Sequence, residues 1–144
     1  MLRVLKAFFP AVLLTYVLAS VFSTQFILGN LQAMGVEVSA MVRIGTTFHD
    51  LLGLTSSYLV LILVAFIIGL PVAAGLTKLM PAHRLMLFVL AGFVAIVALH
   101  LTMKAVLGVS GIAATRTLSG LISQGVAGAM GGYLYFRLSQ QPTR

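Results

Sequence analysis

Four long apolar runs, separated by short polar stretches, dominate the pattern of hydrophobic and polar positions. They cover residues 7–28, 57–77, 85–109 and 117–136. An α-helix of about 20 apolar residues is long enough to cross the hydrocarbon core of a bilayer. The pattern therefore predicts an all-α integral membrane protein, a four-transmembrane-helix bundle that forms a single membrane domain over residues 1–144.

The first apolar run begins like a secretory signal peptide. Arg3 and Lys6 precede a short apolar region, and the small residues Ala19 and Ser20 follow it. The apolar stretch continues beyond them to Leu28. We therefore expect a retained membrane span rather than a cleaved leader.

The segment 36–54, between the first and second runs, has a different periodicity. Met41, Ile44 and Phe48 recur at helical spacing, while Arg43 falls on the other side of the same helix. This pattern predicts an amphipathic helix on the outer side, which lies in the membrane surface or folds back over the bundle.

Composition narrows the class of protein. Of the 144 residues, 60% are hydrophobic and 8% are charged, whereas a soluble domain carries about 25% charged residues. So small a chain exposes too much surface to hide that many apolar side chains from water. A soluble enzyme and a disordered chain are excluded. The sequence contains no cysteine, which excludes disulfides and thiolate metal sites.

The basic residues predict the orientation, because short cytoplasmic loops retain Lys and Arg. With the N-terminus inside, the cytoplasmic set is Arg3, Lys6, Lys78, Arg84, Arg137 and Arg144. The outer set is Arg43, Lys104 and Arg116. We therefore expect both termini in the cytoplasm of a bacterium and the spans in its inner membrane. The basic residues stand singly or in pairs beside apolar runs, so we expect no nucleic-acid partner.

The fourth run carries a face of small residues. Ser123, Ala127 and Gly131 repeat every four residues, and Gly128 and Gly132 form a parallel row. Small residues at this spacing let two helices approach closely in lipid. We expect this face to pack against the other spans of the same chain or against a second subunit.

Most strongly polar residues fall on the predicted outer side. The candidate outer cluster consists of Arg43, His49, Asp50, His100, Lys104, Arg116 and Gln124. Lys104 is placed to extend its ammonium group to the membrane edge. Alternatively, His100 and Lys104 turn inward and meet Asp50, Glu37, Gln25 or Gln124.

Two roles suit this outer cluster. It either caps the bundle through salt bridges or binds an anionic group, such as a lipid headgroup. An unpaired acid at the membrane edge is costly to keep charged. We therefore predict that Asp50 or Glu37 lies within salt-bridge distance of Arg43, Lys104 or Arg116.

Catalysis and cofactor binding find little support in the sequence. His49 and Asp50 are adjacent, so their side chains point about 100° apart on a helix, and there is no G-x-S-x-G nucleophile elbow. A metal site formed by His49, His100 and one acid has no H-x-x-x-H or cysteine ligand set to support it. His49 and His100 lie at a depth that would suit haem, but lone histidines are more often structural. No Asp or Glu lies within a predicted span, which disfavours an ion-coupled transporter. We expect no enzyme and no cofactor.

These patterns leave two hypotheses for function. The first is a non-catalytic accessory or scaffold subunit, or a homo-oligomer, that packs through its Gly-rich fourth helix. The second is a protein that binds or conducts a lipid or small anion through the basic outer cluster. Membrane lipid is the expected partner in either case, with a second copy or another membrane protein in the first.

Overall fold

The computed structural model describes residues 2–108 and 110–140. This part of the chain is all-α. The five helices are α1 (Leu2–Ala33), α2 (Ala40–Gly53), α3 (Tyr58–Leu79), α4 (Arg84–Leu107) and α5 (Leu118–Ser139), with short 3-10 turns at Pro81–His83 and Ala113–Arg116. Residue 109, at the end of the third predicted span, and Arg144, in the predicted cytoplasmic set, lie outside the described residues.

Three helices are long and apolar enough to cross a membrane. They are the segments Arg3–Ala33, Tyr58–Leu79 and Pro81–Leu107, which correspond to the first three predicted spans. The all-α class is confirmed, and these three helices qualify as candidate membrane spans by their length and composition. α5 has the length of a span, but its glycines, serines and Gln124 lower its hydropathy, and it does not qualify on that measure.

The four long helices form a ring in the order α1, α5, α4, α3, and α2 packs on the outside of α1. α5 makes its most extensive contacts with α4 and α1. The inward face of α4 repeats every four residues, through Phe88, Gly92, Ile96 and His100. This spacing keeps one stripe of a helix turned to the same side. Large side chains on the opposite faces are exposed, as residues in contact with lipid are.

Close backbone contacts hold α5 in the ring. A β-carbon placed on Gly128 would overlap the carbonyl oxygen of Gly92 on α4, and one on Gly132 would overlap that of Phe88. On the other side, a β-carbon on Gly131 would overlap the Thr15 hydroxyl of α1. Only glycine permits helices to approach this closely.

The predicted face of small residues is therefore filled from within the same chain. Ala127, Gly128, Gly131 and Gly132 are buried in the described structure. Ser123 is half-buried, and its hydroxyl donates to the Gly120 carbonyl at 2.7 Å.

The predicted amphipathic segment 36–54 contains α2, which folds back along α1. Ser39 caps its first turn by accepting a hydrogen bond from the Val42 amide at 3.3 Å. Early residues of α2 meet the C-terminal part of α1 and later residues meet its middle, so the two helices run antiparallel. The polar side faces α1, and the apolar side is exposed at Met41, Ile44, Phe48 and Leu52.

Candidate functional site

A buried group of three polar side chains links three helices at the end of the bundle that carries α2, here called the α2 end. This polar core consists of Tyr58 on α3, His100 on α4 and Gln124 on α5. The Gln124 amide nitrogen donates to the Ala19 carbonyl of α1 at 3.0 Å. The polar core therefore connects all four long helices at one level.

The fixed Ala19 carbonyl sets the direction of the hydrogen bonds in the polar core. Because the Gln124 amide nitrogen donates to it, Oε1 is the atom that accepts from the Tyr58 hydroxyl at 2.7 Å. The Tyr58 oxygen is then free to accept from His100 Nε2, which lies 3.1 Å away. The rings of Tyr58 and His100 also stack, with centroids 5.7 Å apart.

Tyr16 of α1 forms a hydrogen bond with the end of α2, next to the polar core. Its hydroxyl donates to the Leu51 carbonyl of α2 and lies 3.0 Å from the Thr55 hydroxyl. Its ring packs edge-on against Tyr58, with centroids 6.3 Å apart. Tyr16 of α1 therefore contacts both the end of α2 and the first residue of α3.

Arg43 and Asp50 lie between α1 and α2, where they form hydrogen bonds with uncharged side chains rather than salt bridges. Arg43 donates to Gln25 Oε1 at 2.7 Å and also to Gln32 Oε1. Asp50 Oδ2 accepts from the Thr24 hydroxyl at 2.7 Å.

The predicted salt bridge of Asp50 or Glu37 is therefore wrong for the described residues. The antiparallel pairing of α1 and α2 places Asp50 beside a threonine, and Arg43, two turns earlier, beside two glutamines. Glu37 is exposed in the connection that precedes α2.

A second feature of the α2 end is a cavity with a volume of about 190 Å³ between the end of α4, the connection that follows it and the start of α5. We call it the basic cavity. Its lining consists of His100, Leu101, Lys104, Ser110, Thr115, Arg116, Thr117, Leu118 and Leu121. Lys104 and Arg116 are exposed, and this lining contains no acidic residue.

The local sequence explains how the wall of the basic cavity is held. The Thr117 hydroxyl caps α5 by accepting from the Gly120 amide at 3.1 Å. Gly120 packs so closely on the Ala114 carbonyl that a β-carbon there would overlap it. The start of α5, the positive end of its helix dipole, contributes to the same lining as the two cations.

The structure divides the predicted outer cluster into two groups. His100, Lys104 and Arg116 line the basic cavity, and Gln124 joins His100 through Tyr58. Arg43 and Asp50 lie between α1 and α2. His49 is exposed on α2, whereas His100 is buried. Among the described residues, no group of three His, Asp or Glu side chains is placed to hold a metal ion.

Sequence reasoning missed Tyr16 and Tyr58, which organise the α2 end. Both lie within or at the edge of apolar runs, and the apolar pattern alone predicts them as ordinary residues of the spans. A tyrosine in such a run is a signal in itself, because its buried hydroxyl needs a hydrogen-bond partner.

An open apolar groove lies between α3 and α4 on the outer surface of the ring. Its volume is about 520 Å³, and small residues such as Ala65, Gly69, Ala91 and Ala95 contribute to its lining. A β-carbon on Gly69 would lie 3.0 Å from the Ala95 β-carbon, so these small residues bring the two helices together.

Comparison with protein-family models, with curated proteins and with solved structures gave no match for this chain.

Proposed function

We propose that the chain is a four-span protein of a bacterial inner membrane that binds an anionic group at its outer end and has no catalytic activity. The anionic group is a lipid headgroup or a small anion. The observation that carries this proposal is the basic cavity, where Lys104 and Arg116 share a lining that has no acid.

The position of α5 supports its role as the fourth span. It lies between α1 and α4, two helices that qualify as spans, and it packs against both. Its 22 residues extend over about 33 Å at 1.5 Å per residue, enough to cross the hydrocarbon core. Its glycines and Gln124, which lower its hydropathy, are buried in the bundle rather than turned toward lipid.

With four spans, both termini lie on the same side and the α2 end lies on the other. The end opposite α2 carries more cations among the described residues, namely Arg3, Lys6, Lys78, Arg84 and Arg137. The positive-inside rule favours this end as the cytoplasmic one. The basic cavity then opens at the outer surface of the inner membrane.

Anion binding is supported by how the two acids of the chain are placed. Asp50 is hydrogen-bonded to Thr24 between α1 and α2, and Glu37 is exposed before α2. Neither of them contributes to the lining that holds Lys104 and Arg116. Two like charges beside a low-dielectric bundle repel one another, and an anion between them relieves that repulsion.

The structure favours anion binding over partner binding through α5. The small-residue face that would serve an accessory subunit, scaffold or homo-oligomer is covered by α1 and α4 of the same chain. A partner would have to use another surface, such as the groove between α3 and α4. We propose no catalytic role, because Tyr58, His100 and Gln124 direct their hydrogen bonds to one another.

Thermal unfolding of the purified chain in an uncharged detergent tests anion binding. Inorganic phosphate should raise the midpoint relative to chloride at equal ionic strength, because a ligand that binds only the folded state stabilises it. At 100 times its Kd, the ligand contributes about 2.7 kcal/mol. The double variant K104Q/R116Q should lose most of this shift.

The matched control is K6Q/K78Q, which removes two exposed cations at the other end. It corrects for the general stabilisation of folded proteins by phosphate. Equal phosphate shifts in the two double variants would contradict the assignment of the anion to the basic cavity.

A further inference from the structure

We propose that the anionic group is the phosphate of an outer-leaflet phospholipid, whose acyl chains leave the basic cavity over Leu101, Leu118 and Leu121. This inference rests on the proposed function and specifies its ligand. Three observations carry it: the depth of the basic cavity, the mixture of charge and hydrocarbon in its lining, and the hydrogen bonds of its hydroxyl groups.

The length of α4 fits a basic cavity at the depth of the lipid phosphates. Lys104 follows the first residue of α4, Arg84, by 20 residues, which corresponds to about 30 Å along the helix. The hydrocarbon core of a bilayer is about 30 Å thick. If α4 enters the membrane near Arg84, the ammonium group of Lys104 lies at the opposite boundary, where the phosphate groups begin.

Leucine side chains line the same cavity as the cations. Leu101 is 52% exposed and Leu118 is 74% exposed, and both belong to the lining that contains Lys104 and Arg116. A small anion that arrives from water gains nothing from exposed leucines. A phospholipid contacts both parts, because its phosphate lies beside the cations while its acyl chains cover the leucines.

Two of the three hydroxyl groups that line the basic cavity donate their hydrogens within the protein. The Thr115 hydroxyl donates to the Ile112 carbonyl at 2.7 Å, and the Thr117 hydroxyl donates to the Ala114 carbonyl at 3.3 Å. Their hydrogens are therefore already engaged. Lys104 and Arg116 provide the charged donors of the lining, and a third cation, such as a choline group, would be repelled. We expect phosphatidylglycerol to bind in preference to phosphatidylcholine.

Site-specific fluorescence in bilayers tests this preference. The chain has no cysteine, so a cysteine introduced at the exposed Ser119, beside Leu118, carries a single fluorophore. The labelled full chain is reconstituted into phosphatidylcholine vesicles with a small fraction of phosphatidylglycerol, and either lipid carries a doxyl quencher. Doxyl-phosphatidylglycerol should quench more strongly than its share of the lipid predicts.

Two variants separate the charge from the hydrocarbon contact. K104Q/R116Q should lower the preference for phosphatidylglycerol by up to about 30-fold, since each cation near an anionic lipid surface contributes about a factor of five. K6Q/K78Q should leave the quenching at Ser119 unchanged. L101S/L118S should lower the quenching by both doxyl lipids, because both have acyl chains, and should keep the thermal shift with inorganic phosphate.

The outcomes distinguish this inference from the proposed function. If inorganic phosphate stabilises the wild type while the two doxyl lipids quench in proportion to their abundance, the lipid inference fails and anion binding stands. If L101S/L118S leaves the quenching by both doxyl lipids unchanged, or loses the phosphate shift as well, the leucines do not hold acyl chains and the inference fails. If neither phosphate nor lipid responds to K104Q/R116Q, both proposals fail.

Discussion

The substitution Gly128→Ala tests the close packing of α4 and α5, on which the arrangement of the bundle depends. A β-carbon at this position would overlap the carbonyl oxygen of Gly92 and lie 2.5 Å from Cγ1 of Ile96. The first obstacle is backbone, which cannot rotate away as a side chain can. The two helices must therefore separate, and the contacts of Gly132 with Phe88 would loosen with them.

The size of the effect follows from two opposing contributions. Overpacking costs about 1–3 kcal/mol, and a backbone obstacle on a second helix places Gly128→Ala near the upper limit of that range. Alanine in place of glycine inside a helix raises the stability by about 1 kcal/mol through its higher helix propensity. The net loss in the free energy of unfolding is about 2 kcal/mol, or roughly a 30-fold change in the ratio of folded to unfolded chain.

Two other glycines supply matched controls. A β-carbon on Gly29 of α1 or Gly75 of α3 would meet no heavy atom within 4 Å. Gly29→Ala and Gly75→Ala should therefore leave the bundle unchanged or stabilise it by up to about 1 kcal/mol. Circular dichroism during titration of mixed micelles with a denaturing detergent reports the free energy of unfolding of each variant.

The close contact of α4 and α5 at Gly128 is refuted if Gly128→Ala unfolds at the same detergent fraction as Gly75→Ala. The contact within one chain is also refuted if Gly128→Ala keeps its stability but changes the oligomeric state of the protein. That result would place Gly128 at a contact between subunits rather than between α4 and α5 of one chain.

Two further predictions concern the polar core and the orientation. Tyr58→Phe leaves His100 Nε2 and Gln124 Oε1 without their shared partner and should lower the free energy of unfolding by about 2 kcal/mol. Tyr133→Phe, at a site 44% exposed, should change it by almost nothing in the same assay. Equal losses of stability would contradict the role of the Tyr58 hydroxyl. In intact cells, an impermeant thiol reagent should label Ser39→Cys and not Gln140→Cys, and the opposite labelling would overturn the proposed orientation.

The sequence predicts the helices well, because apolar runs determine which segments leave water. The runs 57–77 and 117–136 correspond to α3 (Tyr58–Leu79) and α5 (Leu118–Ser139) within three residues at either end. The first run stops at Leu28, yet α1 continues to Ala33. Helical hydrogen bonding extends beyond the hydrophobic stretch, and α2 packs along that extension.

The side-chain contacts of the α2 end depend on the registry between helices, which composition does not encode. Tyr58 meets a histidine 42 residues later and a glutamine 66 residues later, and no local pattern relates these positions. Charge complementarity suggested a cation for Asp50. The actual partner is Thr24, because the antiparallel path of α2 places that hydroxyl at the level of Asp50.

His100 belongs to both features of the α2 end, and it connects the buried polar core to the exposed charges of the basic cavity. Its buried ring is fixed by Tyr58, while another part of its surface lines the basic cavity beside Lys104, one turn further along α4. Neutral hydrogen bonds hold the helices together where water is excluded, since they avoid the desolvation penalty of buried ions. The cations lie at the exposed rim, where the proposed anionic ligand would replace the water around them.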